Sequence, residues 1–293
     1  MPENKNVESV FDLKKIRRLP APGEVLVKIG DRVQPDTLIA RGRVRNTEVH
    51  EIRVDQKLGV DPFNLKVYLL KGEGDEVKKD EVIAIRRTFL GRSTKVCRSP
   101  VDGTIEAFSE TSGKLLIRGA PLPVEVKAHV PGIVTEIIPL EGAVVECRAS
   151  LMHGVFGIGG EAHGPLEVVA QSPDEVLTNG TITKEHSGKV IVGGSVATLE
   201  ALRKAASAGV SAVIVGGVDE KDLTAFLGYE IGFGVTGSEK VGVTLIITEG
   251  FGANPMKEEY FRLLKAHGGR LACVDGTTQI RARMLRPEII LPS

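Results

Sequence analysis

The feature that most constrains the fold is a short glycine-hinged β pattern that occurs twice in the first half of the chain. The first copy contains Gly30-Asp31-Arg32-Val33, and the second contains Gly74-Asp75-Glu76-Val77, 44 residues later. The glycine allows a tight turn, the aspartate can hydrogen-bond the turn backbone, and the valine begins a half-buried strand. A short apolar strand that ends in alanine follows each copy, at residues 38–40 and 82–84. The pattern predicts a repeated β module.

A weaker third copy follows. Val130-Pro131-Gly132-Ile133-Val134 repeats the Pro-Gly-x-Val entry of Pro22-Gly23-Glu24-Val25. Glu141-Gly142-Ala143-Val144 then stands where the Gly-Asp turn would be, with alanine in place of aspartate. We therefore expect two to three repeats within residues 20–170.

These residues resemble the biotinyl/lipoyl-like, or barrel-sandwich hybrid, family over roughly residues 20–150. The resemblance implies two halves that interlock as a flattened β-barrel, with a cofactor-carrying lysine on a hairpin after the strand that ends in alanine. That hairpin falls at residues 43–46 in the first copy and at residues 86–98, which are basic, in the second. Neither stretch has a lysine flanked as an acceptor would be, so we expect no covalent lipoyl or biotinyl cofactor. Unmodified modules of this kind look like parts of Rnf/Nqr-type electron-transport subunits and inserts in multisubunit RNA polymerase.

Length and charge exclude some classes of protein. The 293 residues predict more than one domain, and 42% hydrophobic residues suffice for ordinary cores. Lys plus Arg and Asp plus Glu both total 38, so no global field attracts nucleic acid or an anionic membrane. No apolar run is long enough for a membrane helix or a signal core, which predicts a cytoplasmic protein.

The cysteines and histidines do not form a metal or disulfide pattern. Cys97, Cys147 and Cys273 are odd in number and have no C-x-x-C spacing, so we interpret them as buried thiols. The six histidines also lack metal-ligand spacing. The sequence therefore predicts no metal site.

Composition changes near residue 171, and this change suggests an α+β multidomain protein. We expect an N-terminal arm or helix over residues 1–19 and an all-β barrel-sandwich region over residues 20–170. A small α/β, Rossmann-like domain would occupy residues 171–293.

The second half alternates apolar strands with helical patterns. Strands are predicted at residues 189–192, 211–215, 243–247 and 271–274, and Ser195 and Asp219 are candidate helix N-caps. This alternation predicts a mostly parallel sheet with helices on both faces.

Ligands of open parallel sheets bind beyond the carboxyl ends of the strands. Two Gly-Gly turns that open helices would present free N–H groups to a small phosphate or carboxylate, although each pair could equally just allow a tight turn. The predicted ligand-binding residues are Gly193, Gly194, Ser195, Gly216, Gly217, Thr248, Gly250, Thr277 and Thr278.

Three functions remain open, and the sequence does not decide whether the protein is an enzyme. The first is a non-catalytic binding or scaffold protein whose α/β domain holds a small anionic ligand. The second is an enzyme that uses Glu249, Asp275 and Arg281, which would be excluded if these side chains lie more than about 10 Å apart. The third is a nucleic-acid-binding module that uses the basic residues 14–18 and 86–98; zero net charge and 4% aromatic residues disfavour it.

The last residues, 287–292, predict a strand or an arm with apolar side chains. These side chains need cover from the first half of the chain or from a second subunit. A protein partner or self-association through the β region and this segment is therefore an open expectation.

Overall fold

The computed structural model describes residues 7–87, 93–229, 241–278 and 286–293, with side chains from residue 10 onward. Residues 88–92 of the basic hairpin and the candidate Arg281 lie outside these ranges. The described strands are β1 (Val7–Arg18), β2 (Gly23–Val25), β3 (Arg32–Val33), β4 (Leu38–Val44), β5 (Val49–Arg53), β6 (Glu76–Val77), β7 (Val82–Arg87), β8 (Thr94–Arg98), β9 (Gly103–Ser109), β10 (Lys114–Gly119), β11 (Leu122–Lys127), β12 (Gly132–Ile138), β13 (Gly142–His153), β14 (Phe156–Ile158), β15 (Glu161–Val168), β16 (Val190–Val192), β17 (Val196–Ala197), β18 (Ala212–Val218), β19 (Thr244–Phe251), β20 (Leu271–Asp275) and β21 (Glu288–Pro292).

Helices are fewer than strands, so the protein is mainly β. The described α-helices are α1 (Val54–Leu58), α2 (Leu199–Ala208), α3 (Glu220–Leu227) and α4 (Glu258–Ala266), with 3-10 helices at Pro62–Tyr68 and Lys184–His186. None of the described helices is long and apolar enough to span a membrane.

The chain forms two compact units that are interleaved in sequence. Unit 1 contains residues 1–18, 25–40 and 126–293, and unit 2 contains residues 19–24 and 41–125. Most of unit 2 is thus an insertion between two parts of unit 1, with β4 leading out of unit 1 and β11 leading back. The domain limits expected at residues 19 and 170 stay a prediction, as does the barrel-sandwich assignment.

The Gly-Asp repeat is a structural repeat. In residues 28–31 and 72–75 the glycine has a φ of +92° and +87°, a left-handed conformation that glycine adopts without strain. In both turns the aspartate side chain accepts a hydrogen bond from the N–H three residues before it, at 2.8 and 2.7 Å. The sequence pattern therefore predicted the local structure of both turns.

Each turn is completed by a later strand. Val134 exchanges two backbone hydrogen bonds with the first turn, at 2.8 and 2.9 Å, and Ile105 exchanges the same two with the second, at 2.8 and 3.0 Å. Residues 132–134 are therefore the closing strand of the first copy and not the start of a third copy. In the second copy a short hairpin joins β7 to β8, and at the equivalent place in the first copy the chain instead enters unit 2. This insertion replaces the predicted hairpin tip at residues 43–46.

The N-terminal segment, expected as an arm or a helix over residues 1–19, contains a strand over Val7–Arg18, which agrees with the extended alternative and not with the helix. Strand β1 pairs antiparallel with β13, from Val7 opposite Met152 to Arg18 opposite Gly142. The register shifts between Glu8 and Phe11. Such a bulge interrupts the alternation of side chains between the two faces of a strand. The apolar residues of this segment are therefore not spaced by two throughout, which is why a helix was one of the expectations.

Unit 1 contains a large mixed sheet in the order β14-β19-β18-β16-β15-β20-β21-β13-β12-β3. Strands β15, β16, β18 and β19 are parallel neighbours. The sequence predicted β16, β18 and β19 as parallel strands, whereas β15 lies in the region expected to be all-β. Strand β20 was expected as a further parallel strand, but it runs antiparallel between β15 and β21. The sheet is therefore mixed.

Helices cover both faces of the parallel strands, which confirms that prediction. Val213 and Val215 of β18 pack in one core with residues of α2 and α3, and Ala212 and Ile214 pack in another with residues of α4. Asp219 caps α3, as predicted, by accepting a hydrogen bond from the Lys221 N–H at 2.8 Å. A strand buried on both faces needs the continuous apolar run that β18 has.

The C-terminal strand β21 is buried within unit 1. It pairs with both β13 and β20, and Ile289, Ile290 and Leu291 are almost fully buried. The apolar residues of this segment are therefore covered by their own chain. Cys97, Cys147 and Cys273 are buried free thiols, as predicted.

Unit 2 has its own core. The sheet β5-β10-β9-β6 and the separate hairpin β7-β8 surround buried residues that include Ile83, Ile105 and Leu115. Helix α1 adds Val54 and Leu58 to this core.

The repeat predicts equal effects of two substitutions. Asp31→Ala and Asp75→Ala each remove one side-chain acceptor from an otherwise equivalent turn, so each should lower the free energy of unfolding by about 0.5–1.5 kcal/mol. Urea unfolding followed by circular dichroism checks this, with Asp12→Ala as an exposed control. Unequal losses would show that the two turns do not support the fold in the same way.

Candidate functional site

Three of the four predicted loops lie side by side. Gly216 N–H donates to Gly194 O at 2.9 Å, and Gly217 N–H donates to Ser195 O at 2.6 Å. Gly217 is also the register partner of Gly250 across β18 and β19. This convergence is what the carboxyl edge of a parallel sheet produces.

Four backbone N–H groups in these segments already donate to carbonyl oxygens. Besides those of Gly216 and Gly217, the Gly193 N–H donates to Ile214 O at 2.9 Å and the Ser195 N–H donates to Glu175 O at 2.8 Å. An anion held by these four N–H groups would have to replace the hydrogen bonds that they already make. The anion site predicted at these glycines therefore stays a prediction.

Ser195 does not cap a helix. Its hydroxyl donates to Asp174 O at 2.8 Å and is buried, and β17 follows it. The N-cap of α2 is Thr198, whose Oγ1 accepts a hydrogen bond from the Ala201 N–H at 3.2 Å.

Close backbone packing explains the glycine pairs. Gly216 and Gly217 lie inside β18 and not in a turn, and a Cβ on either would overlap a carbonyl oxygen of residues 252–254. A Cβ on Gly194 would overlap Ser172 O and Glu175 O in the same way. Glycine is required here because neighbouring backbone segments approach too closely for any side chain.

Thr248, Glu249 and Gly250 belong to β19 rather than to a loop. Thr248 is buried, with its hydroxyl 3.4 Å from Val215 O. Glu249 accepts a hydrogen bond from the Lys257 N–H at 3.2 Å and pairs with the Lys257 ammonium at 3.3 Å. Both side chains thus have structural partners.

The fourth loop lies elsewhere because β20 is antiparallel. Asp275 Oδ1 accepts a hydrogen bond from the Thr277 N–H at 2.9 Å, and Thr278 Oγ1 accepts one from the Gly157 N–H at 2.8 Å. A Cβ on Gly276 would lie 3.0 Å from Thr244 Cγ2, at the start of β19.

This placement separates two of the proposed catalytic residues. Five residues of extended strand, about 16 Å, separate Thr244 from Glu249. Asp275 directly precedes Gly276, which packs against Thr244, so Asp275 lies near the start of β19 and Glu249 lies near its end.

Unit 1 also contains a polar groove that the sequence did not predict. Its volume is about 460 Å³, and its polar lining consists of Asp36, Lys127, His129, Glu161, His163 and Ser211. We call it the His129 groove. These polar residues come from four separate stretches of sequence, which is why no motif revealed the groove.

Charged groups in and beside the groove are paired. Arg17 donates to both carboxylate oxygens of Glu161, at 2.6 and 2.8 Å, a bidentate arrangement. Asp36 accepts hydrogen bonds from Lys127 at 2.7 Å and lies 3.0 Å from His163 Nε2. The Lys127 hydrogen bond and the His163 imidazole lower the pKa of Asp36.

His129 is the unusual member of the groove. Its side chain is almost completely buried, its φ is +68°, and Nε2 has no hydrogen-bond partner among the described residues. Burial lowers the pKa of His129 to about 4, against the smaller opposing effect of Glu161, so the imidazole is neutral at pH 7.

The Glu161 carboxylate is the charged group nearest to one nitrogen of this imidazole, beyond hydrogen-bond distance. His129 Nδ1 lies 3.8 Å from Glu161 Oε2. The carboxylate favours a proton on Nδ1, which leaves Nε2 as an unpaired acceptor.

Asp275 belongs to a row of acids beside the groove. Glu161, Asp275 and Glu288 are direct register partners across β15, β20 and β21, so their side chains share one face. Lys15 pairs with Glu288, as Arg17 pairs with Glu161. Lys15 and Arg17 are two residues apart, so in a strand both side chains lie on the same face. An expectation of a strand for this segment would therefore have predicted that they lie together.

Neither a metal-binding cluster nor a similar known protein identifies a ligand for the groove. Within residues 7–87, 93–229, 241–278 and 286–293, no group of three or more His, Cys, Asp or Glu side chains is arranged to hold a metal ion. No protein-family model matches the chain, and neither a curated protein nor a solved structure is significantly similar to it. The interpretation therefore depends on the geometry of the groove.

The packing role of the glycine pair predicts a stability effect. Gly217→Ala should lower the free energy of unfolding by about 1–3 kcal/mol, because the new methyl group overlaps backbone atoms. Gly180→Ala is the matched control, since its Cβ would have no neighbour closer than 3.7 Å. Thermal unfolding of both variants checks this, and an unaffected Gly217→Ala would show that the segment can shift apart.

The buried imidazole predicts a pH dependence of stability. The unfolded state binds a proton near pH 6.5 but the folded state only near pH 4, so the neutral imidazole stabilises the fold above pH 6.5 and this contribution is lost as the pH falls towards 4. Between about pH 7.5 and 5 the loss should reach about 2 kcal/mol. Chemical unfolding of the protein and of His129→Asn at both pH values isolates it, because asparagine tolerates a positive φ and does not titrate. An equal loss in both proteins would contradict the assignment to His129.

Proposed function

We propose that this chain is a non-catalytic binding or scaffold protein, and that the His129 groove holds a small polar ligand. The observation that carries this proposal is the buried Nε2 atom of His129 without a partner. A buried polar atom without a hydrogen bond costs about 1–3 kcal/mol, so such atoms normally face a ligand or an ordered water.

The size and chemistry of the groove support a small ligand. Its volume of about 460 Å³ falls within the range of small-molecule sites. His129 Nε2 is an acceptor, so the ligand has to present a donor such as a hydroxyl or an ammonium group. Asp36 and Glu161 favour the same donors, and Lys127 and Arg17 balance their charge.

This proposal moves the expected ligand site and changes its chemistry. A small anionic ligand was expected at residues 193–195 and 216–217, where the N–H groups donate to carbonyl oxygens instead. The acids of the His129 groove are each paired with a cation, Asp36 with Lys127 and Glu161 with Arg17, so the groove suits a neutral or zwitterionic ligand better than a simple anion.

For the scaffold we propose the barrel-sandwich architecture. Its support is the repeated Gly-Asp turn and closing strand, and the hairpin β7-β8 at the position where the related carrier modules have their lysine. We also propose that the protein works in the cytoplasm and that it binds a partner, as unmodified modules in Rnf/Nqr-type subunits would.

A second candidate function is an enzyme that uses the same groove. Asp36 Oδ2 lies 3.0 Å from His163 Nε2, and a carboxylate that orients an imidazole is the usual arrangement of a general base. Ser211 lines the groove as well. In this case the bound molecule would be converted, whereas a binding protein would release it unchanged.

Native mass spectrometry of freshly purified protein tests the binding proposal. We expect a bound small molecule on the wild-type chain and its loss in His129→Asn, with His50→Asn in unit 2 as the matched control. The same spectrum reports the number of subunits.

The released molecule separates the two candidate functions. A mass that stays constant on incubation with the protein supports binding, and a new mass supports catalysis. A bare wild-type mass, or equal ligand retention in His129→Asn, would show that the groove holds only water.

A further inference from the structure

Unit 2 carries a cluster of cations that is separate from the His129 groove. Arg86 on β7 and Lys95 on β8 are direct register partners in the antiparallel hairpin. Their side chains therefore lie on the same face, where like charges directly opposite each other are destabilising.

Both side chains converge on Gly59, the C-cap of α1. The position of a Cβ on Gly59 lies 3.0 Å from Lys95 Nζ and 3.5 Å from Arg86 Nη1. The two nitrogens are thus at most about 7 Å apart. Lys57, one residue before the end of α1, adds a third cation to this side of the hairpin, since its charge lowers the pKa of the neighbouring Cys97 against the larger effect of burial.

Arg86 has backbone partners, but neither Arg86 nor Lys95 has a partner that neutralises its charge among the described residues. Arg86 Nη1 donates to Leu58 O at 3.1 Å and also to Gly59 O, which satisfies carbonyl groups at the end of α1. Within the described part of the chain, neither Arg86 nor Lys95 has a carboxylate partner, whereas seven other cations of unit 2 do: Arg41, Arg45, Arg53, Lys66, Lys71, Lys114 and Arg118 each pair with an acid.

We propose that Arg86 and Lys95 form a binding site for an oxyanion of the phosphate class. An oxyanion that accepts one hydrogen bond of about 2.8 Å from each cation can bridge a gap of this size. It would neutralise the repulsion between the two cations, and the remaining N–H groups of Arg86 offer a planar donor set that suits a phosphate. The site is independent of the His129 groove and of the function proposed for it.

A phosphate group can come from a free ligand or from a nucleic-acid backbone. The full-length protein is titrated at low ionic strength with inorganic phosphate, with pyrophosphate and with a short single-stranded oligonucleotide, and binding is followed by ¹H–¹⁵N spectra and calorimetry. Saturable binding of phosphate or pyrophosphate assigns the site to a free ligand. Binding of the oligonucleotide alone assigns it to a phosphodiester backbone.

Substitutions locate the binding. Lys95→Gln should weaken it about tenfold, and Arg86→Gln with Lys95→Gln should abolish it. The matched control is Arg45→Gln with Lys66→Gln, which removes the same two residue types from the exposed surface of unit 2. Equal weakening in both double variants, or no saturable binding of any probe, would overturn the proposal.

A charge reversal separates a ligand role from a structural one. Lys95→Glu places a carboxylate opposite Arg86, so it should leave the melting temperature unchanged or raised while it eliminates phosphate binding. Lys95 donates no hydrogen bond to the end of α1 among the described contacts, so this variant keeps the helix cap. A lowered melting temperature in Lys95→Glu would show that Lys95 is there to stabilise the hairpin, and would overturn the proposal.

Discussion

The structure depends on the pairing of each Gly-Asp turn with a closing strand that lies later in the chain. In the second copy the two parts are 30 residues apart, from Asp75 to Ile105, and in the first they are separated by residues 41–125, which form most of unit 2. The entropy of loop closure grows only slowly with loop length, so an insertion of this size is tolerated at a hairpin. The same backbone hydrogen bonds therefore close a local module in one case and an interrupted one in the other.

Strands β12 and β13 connect the interrupted first copy to the rest of unit 1. The closing strand β12 continues through a tight turn into β13, and β13 is the partner of β1 on one side and of β12 and β21 on the other. Through β21 and β20 this region joins the parallel strands of the second half. The β repeat and the α/β part of unit 1 thus share one mixed sheet.

That shared sheet also creates the polar groove. Strand β1 brings Lys15 and Arg17 to the acids of β21 and β15, and the segment before β12 brings His129 next to Glu161. Charges removed from water are costly unless they are paired with good geometry, and the bidentate Arg17–Glu161 pair meets that requirement. His129 avoids the cost in another way, because burial keeps it neutral. Among the described residues of the groove, His129 Nε2 is the buried polar atom that has no hydrogen-bond partner.

The sequence alone determined the features that arise within a few residues of one another. The two Gly-Asp turns, the parallel strands with helices on both faces, the Asp219 cap and the buried cysteines follow from local hydrogen bonding and from apolar periodicity. Tertiary structure decided everything that depends on which strands become neighbours. It paired residues 7–18 with β13 as a strand, placed β20 antiparallel so that Asp275 lies away from Glu249, and packed Gly216 and Gly217 against neighbouring backbone. It also assembled the His129 groove, because register across strands far apart in the chain leaves no spacing that a sequence pattern can reveal. Arg86 and Lys95 are close in sequence, but their meeting depends on the register of the β7-β8 hairpin and on the packing of Gly59.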